Sequence, residues 1–245
     1  MSDFFKTKSQ FYLPEGMIYL DGNSLGPLPK RAQERIQHTL NKEWGEMLVT
    51  GWNKAGWMDQ PNKVGDRIAK LIGATSKTVT VGDTLSIKIF QALASATNYQ
   101  KKRKVLLTDS SNFPSDIYAA QGLVNMIQAD HELKIVSTDN LIENINENIA
   151  AVFFTEVDYK TGRRYDAKKI IKAAKQNGSL VILDLAHSAG AVDTNLTELD
   201  VDLAVGCTYK YLNGGPGSPA FIYVNPSLIN SLEPCLSGWL GHENP

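Results

Sequence analysis

Residues 201–224, VDLAVGCTYKYLNGGPGSPAFIYV, place one lysine, Lys210, just past an apolar run and just before a glycine-rich turn. Upstream, the apolar run 180–183 ends on Asp184, and His187 follows three residues later. A carboxylate at the C-terminal end of a central strand lies where open α/β sheets place ligands. One turn of helix would bring Asp184 and His187 to the same side. Thr208, Tyr209 and Tyr211 flank Lys210. Gly214, Gly215 and Gly217, with Pro216 between, would let the backbone turn sharply beside a ligand. Each residue also has a plainer reading. Most lysines lie at the surface, an aspartate after a strand can simply cap a helix, and a lone histidine is more often structural. Taken together, they supply an amine for imine formation and a carboxylate for a pyridinium nitrogen. A pyridoxal phosphate (PLP) enzyme needs that pair.

A phosphate would need a cradle. Asp83-Thr84-Leu85-Ser86 lies between a strand expected at 78–81 and a helix expected at 87–97. A helix N-terminus with hydroxyls and free N–H groups binds anions, although the same residues would also make an ordinary capped helix. Phe113-Pro114-Ser115-Asp116 follows the next strand. Phe113 would either stack on a flat ring or join the core.

These groups need a scaffold. Short apolar runs recur at 78–81, 105–107, 133–136, 151–154, 180–183, 203–207 and 220–224. They are mostly continuous rather than alternating, as in strands covered on both faces. Amphipathic stretches lie between them, most clearly 87–97 and 167–176, the second stopped by Asn177-Gly178. The pattern predicts a three-layer α/β/α domain over 74–245, with a seven-stranded, mainly parallel sheet. Only the turn 213–219 precedes the last strand, so that strand is expected to run antiparallel to its neighbours. Residues 1–73 read as an N-terminal arm or minor lobe. They hold a short strand at 17–20, the loop GNSLGPLP and a long helix over 31–49.

The chain has 245 residues, 42% hydrophobic and 21% charged, with net charge −1, which gives no general pull toward nucleic acid or anionic membrane. Its two cysteines, Cys207 and Cys235, form no disulfide framework and no metal-ligand spacing. The start, MSDFFKTKSQ, has no apolar signal core, and no apolar run is long enough to span a bilayer. The expectation is a cytoplasmic protein without a metal.

Six stretches resemble the kynureninase family, within the fold-type I, class V aminotransferase-like superfamily. They are YLDGNSLGPLP (19–29), FPSD (113–116), VDYKTGRRYD (157–166), DLAHSAGAV (184–192), CTYKYLNGGPG (207–217) and GWLGHENP (238–245). They cover nearly the whole chain in the family's order. DLAHSAG with TYKYLN is specific for kynureninases, whereas a lysine in a glycine-rich context fits the whole superfamily. The resemblance implies PLP as cofactor, held covalently by Lys210, which would also shuttle protons at the substrate α-carbon. It implies Asp184 on the pyridinium nitrogen, His187 beside the ring, and Phe113 on the ring face with Ser115 and Asp116 nearby. Leu85, Ser86 and Tyr209 would hold the phosphate, and Thr155 would touch the cofactor. Trp239 would reach a phosphate across the interface of a homodimer.

The implied reaction is hydrolysis of L-kynurenine, or its 3-hydroxy analogue, to anthranilate and L-alanine, in tryptophan catabolism and NAD biosynthesis. Glu156 and Asp158 depart from the family's usual histidine and asparagine, and Glu156 adds a charge near the site. Ser86 and Lys88 stand where threonine and asparagine are common. The family continues beyond GWLGHENP, so the resemblance implies that the C-terminal small domain is missing here. An arginine for the substrate carboxylate would be missing with it. The same groups would also serve another class V reaction, an aminotransferase or a cysteine desulfurase, or an inactive PLP-binding fragment. A desulfurase would want a reactive cysteine on a mobile loop, which neither Cys207 nor Cys235 matches.

Overall fold

The computed structural model describes residues 3–127 and 130–241. Two short strands, β1 (Phe11–Tyr12) and β2 (Leu28–Pro29), pair antiparallel near the N-terminus. The seven runs expected as strands all join one sheet: β3 (Val79–Val81), β4 (Val105–Asp109), β5 (Glu132–Val136), β6 (Ile149–Thr155), β7 (Leu180–Asp184), β8 (Leu203–Gly206) and β9 (Phe221–Val224). Their order is β3-β9-β8-β7-β6-β4-β5. The neighbours from β8 to β5 pair parallel, while β9 runs antiparallel to both β8 and β3. The turn before β9 is too short for a crossover helix, and this accounts for the reversal.

The helices are α1 (Phe4–Lys8), α2 (Lys30–His38), α3 (Gly51–Lys54), α4 (Gln60–Leu71), α5 (Leu85–Tyr99), α6 (Pro114–Ile127), α7 (Ala167–Gln176) and α8 (Leu196–Leu199). On one face of the sheet, Ile89, Leu93 and Ala96 of α5 and Leu123 of α6 pack with Leu106, Phe153, Ile182 and Val205. On the other, Ile68 of α4, Ile170 and Ala174 of α7 and Leu196 of α8 pack with Leu107, Val152, Phe154 and Val181. Alternate residues of each strand feed opposite cores, which is why the central strands read as unbroken apolar runs. Helix α7 has the expected limits, and Gly178, at φ +71°, supplies the left-handed residue that ends it.

The N-terminal stretch departs from expectation twice. Residues 17–20 form no strand. Ile18 and Leu20 are exposed, and the Tyr19 hydroxyl donates to the Leu25 carbonyl at 2.7 Å. A short apolar run needs a partner edge, and here β1 and β2 pair with each other. The helix expected over 31–49 is broken as well. After α2 the chain widens into a π-helical segment, Thr39–Trp44, turns at Gly45, and reaches Leu48 in the left-handed region, φ +50°. The buried Glu43 explains the widening. It is held by Arg35 at 2.7 Å and by the Trp57 indole N–H at 3.0 Å, and these contacts outweigh helical regularity.

Gly26 joins this arm to the lysine loop, its N–H donating to the Tyr209 carbonyl at 2.9 Å. A β-carbon there would sit 2.2 Å from the Lys210 carbonyl oxygen. Gly26→Ala is therefore expected to lower stability by about 1–3 kcal/mol, through overpacking against a backbone that cannot yield. A fall in the urea midpoint at unchanged slope would register it. An unchanged midpoint would mean that the arm does not dock on the lysine loop.

Candidate active site

The C-terminal ends of the parallel strands carry the chemistry. Asp184 ends β7 in register with Thr155 of β6 and Val205 of β8. Its side chain is 2% exposed. The Ala186 N–H donates to its Oδ1 at 2.9 Å, and its Oδ2 has no partner. Burial raises this carboxyl from 3.8 to about 6, against the opposing pull of the Ala186 N–H and of Lys210. Asp116, fully buried in the first turn of α6, also has an unpartnered Oδ2. Burial first, and then the Asp184 charge, push it well above the usual carboxylate range.

Lys210 lies on the turn after β8 and is 7% exposed. Its loop is tied down on several sides. The Gly214 N–H donates to the Thr208 carbonyl at 2.8 Å, and the Thr208 hydroxyl donates to the Pro219 carbonyl at 2.6 Å. Asn213 sits in the left-handed region, φ +56°, where its N–H reaches the Lys210 carbonyl. The Lys210 Nζ is 2.8 Å from His187 Nε2 and 5.7 Å from the centre of the Phe113 ring. Burial, then the nearby Lys210 charge, lower His187 to about 4. A neutral imidazole facing an ammonium accepts its hydrogen bond, so the ring proton belongs on Nδ1. The imidazole thus orients the Lys210 Nζ by accepting its hydrogen bond, and the amine, once free of its proton, can attack an aldehyde.

Both groups face a cavity of about 160 Å³, also lined by Thr84, Leu85, Ser86, Phe113, Ser115 and Tyr209. Thr84 caps α5 by accepting the Ile87 N–H, which leaves the N–H groups at Leu85 and Ser86 as the open start of a long helix. Burial lifts the Tyr209 phenol to about 12, so its O–H remains a donor. The fit to PLP can be judged on these groups. An unpartnered buried carboxylate oxygen, a buried amine, aromatic rings and a helix N-terminus with hydroxyls match a pyridinium nitrogen, an aldehyde, a flat ring and a phosphate. A larger groove of about 740 Å³, walled by Trp52, Trp57, Val64 and Leu212, includes neither Lys210 nor Asp184.

The structure therefore brings Leu85, Ser86, Phe113, Ser115, Asp184, His187, Tyr209 and Lys210 to one cavity. Asp116 does not line it but is buried near enough to interact electrostatically with Asp184 and Lys210. Thr155 is buried beside Asp184, but its hydroxyl donates to the Val157 carbonyl at 2.9 Å and it does not line the cavity. Trp239 is 65% exposed and packs edge-on against Trp52, away from the cavity. The motif at 238–245 runs past the described residues after Gly241. Tyr159 adds a ring that sequence reasoning passed over. It stacks on His187 at 6.3 Å and meets Phe113 edge-on at 4.8 Å. Its position within VDYKTGRRYD was the available signal. Glu156 does not expose its charge to the cavity, because Arg164 neutralises it at 2.8 Å. Among the described residues, no cluster of His, Cys, Asp or Glu could hold a metal, and no helix is long and apolar enough to cross a membrane.

This sheet, with its lysine and aspartate at the strand ends, is the arrangement of fold-type I PLP enzymes. The chain belongs to the class-V aminotransferase family, a PLP-dependent family whose model matches residues 18–241. Among curated proteins it is similar to the kynureninase of Pseudomonas fluorescens, 47% identical over 96% of this chain, and to that of Burkholderia mallei, 46% identical over 97%. The chain spans 58% of the length of these relatives. Among solved structures it matches a cysteine desulfurase from Escherichia coli with a TM-score of 0.78 at 18% identity, covering 96% of this chain and 61% of that one.

Proposed function

We propose that this chain binds PLP at Lys210 and serves the hydrolysis of L-kynurenine, or its 3-hydroxy analogue, to anthranilate and L-alanine. The observation that carries the cofactor reading is the Lys210 Nζ at 2.8 Å from a neutral His187, in a cavity that Asp184, whose buried Oδ2 is unpartnered, also lines. The identity of nearly half to kynureninases supports the substrate. When bound, PLP supplies an aldehyde for an amine and a ring that draws electrons from the substrate α-carbon.

The residues divide the remaining work. Lys210 holds the cofactor and afterwards takes the proton from the substrate α-carbon. His187 keeps the Lys210 amine oriented by accepting its hydrogen bond. Asp184 holds a proton on the ring nitrogen, and the buried Asp116 is near enough to interact electrostatically with Asp184. The start of α5 at Leu85 and Ser86, with the Tyr209 O–H, binds the phosphate. Phe113 covers one ring face, Ser115 borders it, and Thr155 fixes the strand end beside Asp184. Residues 74–245 act as the cofactor domain and 1–73 as an arm or minor lobe, whose helix α4 packs onto the sheet. In the same reading the protein is a cytoplasmic homodimer, in which Trp239 would serve the partner's phosphate.

Cysteine desulfuration is the weaker reading. Cys207 is buried, and burial raises its thiol, which leaves it poorly nucleophilic. The test is to load the purified protein with PLP, supply L-kynurenine or L-cysteine, and follow anthranilate fluorescence and sulfide. Anthranilate release is the expected result. Sulfide without anthranilate would overturn the substrate assignment.

A further inference from the structure

Glu156 touches both ends of the loop that carries the site's central groups. Its backbone N–H donates to the Asp184 carbonyl at 3.0 Å, where residues 185–194 begin. Its side chain, 1% exposed, holds the other end. The Thr194 hydroxyl donates to Oε2 at 2.8 Å. Arg164 donates to Oε1 through Nε at 3.2 Å and Nη2 at 2.8 Å, and Nη2 also reaches the Asp193 carbonyl at 2.6 Å. Between these anchors lie the Ala186 N–H, which orients Asp184, and His187, which meets Lys210.

We infer that Glu156, clasped by Arg164 and Thr194, is a positioning residue that holds the 185–194 loop closed and so sets the geometry of Asp184 and His187 toward the cofactor. Glu156 does not line the cavity, so it acts only through the loop. Arg164 lies against the protein with its far side in water, and its fork geometry serves two acceptors at once. Both oxygens of this buried carboxylate are served, unlike those of Asp184 and Asp116, so removing either partner leaves a buried acceptor uncompensated and loosens the clasp. The inference rests on the reading of Lys210 and Asp184 as cofactor groups, but its first test does not.

In cofactor-free protein, Glu156→Ala should speed hydrogen exchange at the Ala186 and Ala189 amides by about tenfold, the equivalent of about 1.4 kcal/mol in local opening free energy. In the PLP-loaded protein it should raise the cofactor dissociation constant and weaken the visible circular dichroism of the bound ring. Glu156→Gln, which keeps the volume and one acceptor for Arg164 and can donate to the Thr194 oxygen in place of accepting from it, should restore part of both. Thr194→Val, a milder variant for the case in which Glu156→Ala fails to fold, should shift them in the same direction. Ile170→Val, in the core away from the site, serves as a control for general destabilisation. Exchange and dichroism at wild-type values, or changes matched by the control at equal loss of thermal stability, would overturn the clasp. Faster exchange in a protein whose wild type takes up no PLP would keep the clasp and remove the cofactor reading instead.

Discussion

Lys210→Ala is expected to remove covalent cofactor attachment altogether and to lower turnover by at least about 10³-fold, the upper part of the range for losing a positioned proton-transfer group. Borohydride reduction of the PLP-loaded wild type should leave the cofactor's mass on the peptide that contains Lys210, and the variant should show none. Lys88 is the other buried lysine among the described residues and the natural competitor. It is already engaged by Asp83 at 2.9 Å and Gln91 at 3.0 Å, and it lies outside the cavity. Trapping that moved to Lys88, or persisted unchanged, would sink the assignment. A small amine added to the variant should recover part of the activity, because the cavity left by the side chain keeps His187 and Asp184 in place. Without the lysine's charge, Asp184 and Asp116 both lose a neighbour that favours their ionised forms. Both can take up a proton instead, so the variant should still fold.

Much of this site was legible because its groups sit at strand ends, and the strands were legible because both faces are buried. Asp184 could be placed at the end of β7 from an unbroken apolar run, and Lys210 beyond β8 in the same way. The reversal of β9 followed from the length of its turn. The arm was not legible. Its helix breaks because Glu43 meets Arg35 and Trp57, a tertiary contact that no local pattern carries. Residues 17–20 have strand-like composition but no edge to pair with. Tyr159 and the Glu156 clasp were missed for a related reason. Both depend on segment 156–165 folding against 184–194, and neither segment marks that contact in its own sequence. Asp116 drew notice only through the family motif, since nothing in PSD signals a carboxylate held dry beside a second one.

Asp184→Asn should separate function from stability in opposite directions. An asparagine cannot keep a proton on the pyridine nitrogen, so turnover is expected to fall by about 10³-fold, while PLP attachment to Lys210 survives. The cofactor-free variant should nevertheless be more stable than wild type at pH 8, by about 1–3 kcal/mol, because the wild type there buries a charge with one oxygen unpartnered. The sign follows from linkage. Asp184 titrates near 6 in the folded protein and near 3.8 unfolded, so the folded state binds more protons between those values. Its contribution lowers stability as pH rises through that window, and the penalty is complete above pH 6 and absent below 3.8. The variant's advantage should therefore shrink to nothing as pH falls toward the lower end of that window. His187 works in the opposite sense. At about 4 folded against 6.5 unfolded, it makes stability rise with pH across that interval. In wild type the two slopes oppose each other, with Asp116 acting in the same sense as Asp184. Removing the Asp184 charge also relieves Asp116, so the variant's stability should climb more steeply across the His187 interval. Urea unfolding of both proteins at several pH values would measure the difference. If the Asp184→Asn variant proved no more stable than wild type at pH 8, the Asp184 carboxylate would have to be solvated or paired in solution, and the ring-nitrogen role would lose its physical basis.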